Sequence, residues 1–450
     1  MEGKPGGKKE DSIEISLDEF DDYLEGPGFI MARKGRFILS QSTLSGDERR
    51  AFLQNIVDHQ EDFRASIEQH VIELENILQQ YNPFDVIGNI SLLNSIHDIE
   101  TYKEYEHSEN PAYTEYLSLL LLTKPFDHYA VRTPHPISGE VIEDIQNRIQ
   151  TLFSKQLLFL AFKDINPEQE QPDILQELRF QTLLRSIGVR ALAYHHHLVD
   201  LLRGLFLPLG VELIRILGFD IEDVLSIADG IETIVNLKLS DRREQAIHFE
   251  RDFQKAVKQY RHRKRVIHNY PESMLENLAS LRPRDAKEKI RNLAVAWMFL
   301  GIGDTLSFTI NDLLTQTKVE PDRIRNFLAR FSIRFGNVDP TLYRVPAPTH
   351  PLTTKPIIEQ GHQYFCPAPQ LLYWGMRQAI EGMLNPNSPD AINKEALLWE
   401  RYERARASFA EDKAIEYLGQ ALGHAKAYKR LKYHIIENGE NKEVELLNFE

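Results

Sequence analysis

Residues 217–239 read LGFDIEDVLSIADGIETIVNLKL, and their pattern decides the fold class. Gly218 can take the left-handed conformation that ends one helix, and Asp220 offers a side-chain oxygen to cap the next. Ile221, Val224, Leu225, Ala228, Ile231 and Val235 then recur at intervals of three and four. At ~100° per residue they share one face, which predicts a helix with one buried stripe. Upstream, Phe63, Ile67, Val71, Leu74 and Leu78 repeat the pattern until Pro83, whose ring and missing N–H stop a helix. Further helices are predicted at about 85–97, 111–122, 139–164, 172–203 and 206–217, so the chain is expected to be mainly α.

Two places break that texture. GPGFIMARKGRFILS, residues 26–40, predicts a short strand pair with glycine punctuation, and SGDERRAFLQNI after it opens a helix with Ser45 as cap. From residue 336 prolines and β-formers crowd together, and KPIIE, QG and HQYFC at 355–366 predict a hairpin. Helices are then predicted at about 368–383 and 391–423, with the NPNSPD loop at 385–390 between them. The chain finishes with two strand-like runs around Asn438-Gly439, a strong hairpin turn. Four regions are expected: an acidic tail at 1–28, an α-helical region at 29–335, a proline-rich β hairpin and helix joint at 336–390, and an α-β-β unit at 391–450.

Composition narrows the function classes. With 450 residues of which 42% are hydrophobic, the chain can bury two or three cores. One cysteine, Cys366, excludes an intrachain disulfide framework and a cysteine-rich zinc module. The first residues lack a signal-peptide apolar core, and no apolar run reaches the ~20 residues that span a bilayer, so a cytoplasmic protein without membrane insertion is expected. The formal charge of −14 disfavours nonspecific attraction of the whole surface to nucleic acid, so any such contact must be local. Residues 10–25 carry eight carboxylates and no base, predicting a disordered or partner-ordered tail whose spaced Ile13, Ile15, Leu17, Phe20 and Tyr23 can dock as a short strand or helix.

The base-rich run lies at the end of the long helix, where seven bases and one acid fall between Arg251 and Arg265. Lys258, Arg261, Arg263, Lys264 and Arg265 are the candidate phosphate contacts, with Tyr260 and His262 offering stacking. RPRDAKEKIR at 282–291 strengthens that patch if its helix neighbours the first. FTINDLLTQTKVEPDRIRNFLARFS at 308–332 reads as two short helices around a turn, with Arg323, Arg325 and Arg330 on the second, the outline of a helix-turn-helix. His195, His196 and His197 point about 100° apart on a helix and cannot converge on one ion. Gly301, Gly303 and Asp304 lack the Lys-Ser/Thr of a phosphate loop and are expected to mark a helix end. Cys366, close to His362, is expected to be structural.

In the last long helix the apolar stripe changes face. Leu398, Tyr402, Ala405 and Phe409 form one stripe, and Ile415, Leu418 and Leu422 lie roughly 180° away. Glu411 sits one turn before Ile415, on the second stripe, where a carboxylate is costly unless paired, protonated or metal-bound. This order, a helix with an inward Glu followed by two antiparallel strands, resembles the PD-(D/E)xK, or restriction-endonuclease-like, nuclease superfamily. The preceding helical chain and the PIIEQGHQYFCPAP hairpin are similar to uncharacterised bacterial proteins that carry such a domain at their C-terminus, some associated with phage defence. The resemblance implies Glu411 as the helix acid of a site that also takes a strand Asp and a Glu-x-Lys to hold Mg²⁺. After residue 423 no strand-borne Asp precedes a Glu-x-Lys; Glu440-Asn441-Lys442 has the letters but falls in the predicted turn.

The expected function is therefore a helical scaffold or regulatory protein linked to nucleic-acid metabolism or phage defence, with a partial nuclease-like unit inactive by itself. Two alternatives stand beside it. One is a Mg²⁺-dependent nuclease completed by a partner chain or by sequence beyond residue 450. The other is a purely protein-binding scaffold. The expected partners are a protein or a second copy of the chain, with DNA or RNA at the basic patch.

Overall fold

The computed structural model describes residues 22–26, 29–34, 37–42, 46–95, 111–130, 137–162, 195–263, 270–347, 349–368, 372–392, 395–422, 427–437 and 440–449. The fold is mainly α, with small sheets. Backbone contacts divide the chain into two compact units, residues 1–68 with 154–182, and residues 69–153 with 183–450.

The first unit opens with a three-stranded antiparallel meander, β1 (Asp22–Gly26), β2 (Phe29–Lys34) and β3 (Phe37–Ser42). The predicted strand pair thus has a third member drawn from the acidic segment, with Gly26 paired with Phe29. The rest of that segment lies outside the described residues. Helix α1 (Gly46–Asp58) follows, then the start of α2 (Gln60–Leu78). Within this unit Leu53 and Ile67 are buried, and Lys155 donates to Ser66 Oγ at 2.6 Å.

The second unit contains the rest of the helices. Val71, Leu74 and Leu78 of α2 are buried, as their spacing requires. After it come α3 (Pro83–Ser95), α4 (Pro111–Leu122) and α5 (Gly139–Phe162), whose residues from 154 on belong to the first unit. The predicted 172–203 helix is described only from His195, where α6 (His195–Phe206) begins. A single helix at 206–217 does not form. A 3-10 turn at Leu207–Leu209 containing Pro208 separates α6 from α7 (Gly210–Leu217), because proline cannot donate to the preceding turn.

Helix α8 (Ile221–Arg263) is 43 residues long. Gly218, at φ 86°, closes α7 by donating its N–H to the Ile214 carbonyl at 3.0 Å. The Asp220 N–H donates to Asp223 Oδ2 at 3.0 Å and the Asp223 N–H to Asp220 Oδ1 at 2.9 Å, a reciprocal cap. Ile221, Val224, Leu225, Ala228, Ile231 and Val235 are all buried, and most of them lie in the main core with Phe206, Phe219, Phe327, Phe331, Met376 and Tyr402. Helices α9 (Glu272–Ser280) and α10 (Pro283–Phe299) pack along the second half of α8 around Phe253, Val257, Leu275, Leu278 and Ile290.

Gly301, at φ 61°, ends α10 and starts the one-turn α11 (Ile302–Leu306). A Cβ on Gly303 would stand 2.6 Å from the Phe84 backbone, so glycine allows α11 to lie against α3. Then come β4 (Ser307–Phe308), α12 (Ile310–Gln316), α13 (Pro321–Phe331), β5 (Ser332–Arg334), α14 (Pro340–Tyr343), β6 (Ile357–Gln360) and β7 (Gln363–Phe365). The predicted hairpin is β6–β7, turning at Gly361 with φ 63°. It belongs to a four-stranded sheet of order β4-β7-β6-β5, in which β5 and β6 are parallel, so the sheet crosses the boundary expected between 335 and 336.

Helix α15 (Leu372–Leu384) joins the main core, and α16 (Ala396–Leu422) leads to β8 (Ala427–Glu437) and β9 (Glu440–Phe449). Glu437 pairs with Glu440. Glu440 and Lys442 therefore stand on the strand β9 and not in the predicted turn, because the pairing with β8 extends to Glu440.

Candidate nucleic-acid interface

The predicted patch divides by what each base does. Lys258 is exposed on α8. Arg261 faces inward: its guanidinium donates to the carbonyls of Ala279 at 3.1 Å, Leu278 at 3.2 Å and Leu281 at 2.8 Å. Those carbonyls close α9, where helical partners run out and a cation is favoured by the helix dipole. Arg263 is the last residue of α8, and Lys264 and Arg265 lie outside the described residues. Arg242 does for α10 what Arg261 does for α9. It donates to the Trp297 carbonyl at 2.9 Å and to that of Leu300, with its guanidinium 4.0 Å from the Trp297 ring centroid.

These two caps fix α10 antiparallel to α8, which satisfies the condition set for residues 282–291. Exposed bases follow on both helices: Arg243, Arg251, Lys255 and Lys258 on α8, and Arg284, Lys287, Lys289 and Arg291 on α10, with Arg282 at its N-cap. Asp241, Glu244 and Asp252 on α8, the last 3.5 Å from Lys255, and Asp285 and Glu288 on α10 dilute the charge, and α10 keeps an excess of bases.

The predicted helix pair forms as α12 and α13. Thr309 caps α12 reciprocally with Asp312, and Thr317–Glu320 make the turn. Ile324, Phe327, Leu328 and Phe331 anchor α13 in the core. Arg323 is spent inside the protein, 2.8 Å from Asp223 and 3.6 Å from Asp220, which hold its pKa above the ordinary arginine value through hydrogen bonding and charge. Arg325 and Arg330 remain exposed, Arg325 beside Asp322 at 2.5 Å.

Glu411 is half-buried on α16, and Lys413, two residues on, bonds Glu416 at 2.8 Å. The first stripe of α16 packs as its spacing predicts: Leu398 and Tyr402 are buried, and the Phe409 ring lies where a side chain on Gly204 would stand. Ile415 is half-buried and Leu418 is 38% exposed, so the second stripe is only partly covered among the described residues. No group of three His, Cys, Asp or Glu side chains able to hold a metal occurs among the described residues. No catalytic step is therefore assigned to Glu411.

His196 and His197 are exposed on α6 with ring centroids 4.1 Å apart, at the surface and not in a ligand cage. Burial pushes the Cys366 thiol up to about 12, which leaves it without the thiolate a nucleophile needs. Sequence reasoning missed a buried pair: His350 Nε2 stands 3.4 Å from Glu115 Oε2, with both side chains under a tenth exposed. His350 also lines an open groove beside α13 and β5.

No family model matches the chain, and searches of curated proteins and of solved structures found no match. No described helix is long and apolar enough to cross a membrane.

Proposed function

We propose that this chain is a helical scaffold that holds nucleic acid by its phosphate backbone at the α8–α10 surface, in support of a nuclease-like unit formed around α16, β8 and β9. The observation that carries the reading is the antiparallel packing of α10 on α8, set by the Arg242 and Arg261 caps. It brings two base-bearing helices together in a chain of net charge −14. Exposed lysines and arginines on neighbouring helices can each replace a condensed counterion on a phosphate chain. The α16–β8–β9 order supports the nuclease-like part by resemblance alone, and a link to phage defence rests on the same resemblance. Fluorescence anisotropy of the full chain with labelled duplex DNA, single-stranded DNA and RNA tests the proposal. Affinity that falls steeply with salt is expected, and absence of binding at low salt rejects it.

A protein-binding role has its own support. Leu207, Val211 and Ile214 are 55%, 79% and 36% exposed at spacings of four and three, an apolar row on the outside of α7 and the turn before it. Such a row favours a partner surface. Light scattering of the purified chain and of Val211→Asp tests it; a strict monomer in both, with no change between them, counts against a self-association surface.

A further inference from the structure

We propose that the open groove between α13, β5 and the loop leading into β6 is a binding site for a phosphate-bearing ligand, separate from the α8–α10 surface. The groove encloses about 1020 Å³, ample for a nucleotide or for a few units of a nucleic-acid strand. Three cations reach it from three elements: Arg325 on α13, Arg334 on β5, and Lys355 just before β6. Against them stand Glu359 and Asp390 in the lining, and Asp322, which bonds Arg325 at 2.5 Å. Glu359 is engaged by Arg334 at 2.7 Å, and that bond uses one of the five N–H donors of the guanidinium.

The sheet fixes where the Arg334 guanidinium stands. Among the described residues β5 is an edge strand in the order β4-β7-β6-β5; its Ser332 N–H already donates to the Leu328 carbonyl, and Ser332, Ile333 and Arg334 all line the groove. Guanidinium and ammonium groups that converge on one concavity favour an anion. Tyr343 at the rim offers a ring on which a base can stack. Other ligand classes fit less well. A divalent cation would meet three positive side chains and one uncommitted carboxylate, and a purely apolar ligand would leave those charges desolvated.

Phosphate esters come from free nucleotides or from a nucleic-acid strand, and calorimetric titration of the full chain with inorganic phosphate, ATP and a short oligothymidylate separates the sources. ATP or the oligonucleotide is expected to bind, with inorganic phosphate competing weakly. Tighter binding of ATP identifies a free nucleotide, and tighter binding of the oligonucleotide identifies a strand. The exposed pair Arg325→Gln and Lys355→Gln is expected to weaken that binding about tenfold or more while the melting temperature stays near that of the parent. Thermal melts of the double variant verify that it is folded. Failure of the parent to bind any probe, or unchanged affinity in a folded double variant, overturns the proposal. An α8–α10 variant that loses oligonucleotide binding but retains ATP binding at the groove supports two separate sites, so the fates of the two proposals remain distinguishable.

Discussion

Arg261 Nη2 lies 2.8 Å from the carbonyl oxygen of Leu281, and the same guanidinium reaches the Leu278 and Ala279 carbonyls. A base in the middle of a cationic run thus serves as the C-terminal cap of α9. Arg261→Ala is expected to lower stability in urea denaturation by about 1–3 kcal/mol, the cost of leaving charged hydrogen bonds unmade. Lys258→Ala, at an exposed position, is expected to stay within about 0.5 kcal/mol. Arg261→Lys is expected to recover little, since an ammonium cannot reproduce the planar fork.

Arg323 ties α13 to the first turn of α8 through Asp223 at 2.8 Å, with the two side chains 28% and 12% exposed. A double-mutant cycle on Arg323→Ala and Asp223→Asn is expected to give a coupling of about 0.5–1.5 kcal/mol, above a typical surface pair because the partners are mostly covered. Coupling near zero would show that α13 is held by Ile324, Phe327 and Phe331 alone.

The acid limb of stability follows from paired carboxylates. Hydrogen bonding and charge from Arg203 hold Glu222 below the usual carboxylate range, and Arg215 does the same for Glu395. A depressed folded pKa means stability that is present above the unfolded value of about 4.3 and is lost as pH falls through the folded pKa. The Arg203→Gln, Arg215→Gln variant is therefore expected to be less stable than the parent at neutral pH, with the gap closing below about pH 4. A gap independent of pH in denaturation curves would contradict this.

Cys366 is buried with its thiol pushed up to about 12. Folded protein at pH near 8 is expected to resist a thiol-specific disulfide reagent, and protein unfolded in guanidinium to react with one equivalent. Rapid reaction of the folded chain would place the thiol at the surface.

Gly375 fixes one wall of the groove, because a Cβ there would stand 1.7 Å from the Thr353 carbonyl oxygen. Gly375→Ala is expected to cost about 1–3 kcal/mol, and the loop from Thr349 to Lys355 must shift. Equal stability in thermal and urea denaturation would show that α15 can move away at no cost.

The long-range order of the chain was readable wherever a helix carried an uninterrupted stripe, as at Ile221 through Val235 with its Gly218 and Asp220 punctuation. The four-stranded sheet was not, since β4 has two residues and β5 three, too few to display alternation. The role of Arg261 was hidden by composition, although its position held a signal. It follows Phe253 and Val257 at intervals of four, on the buried stripe of α8, where a base must find carbonyl or carboxylate partners. The Glu115–His350 pair joins residues distant in sequence, which no local pattern reveals.

The most direct test of nucleic-acid holding at α8–α10 is the salt dependence of DNA affinity for the parent and for a variant with Lys258, Arg284, Lys287 and Arg291 replaced by alanine. The parent is expected to give a steep negative slope of log affinity against log salt, and the variant to flatten it by about 0.9 for each phosphate contact removed. An identical affinity and slope in the two proteins would contradict the account.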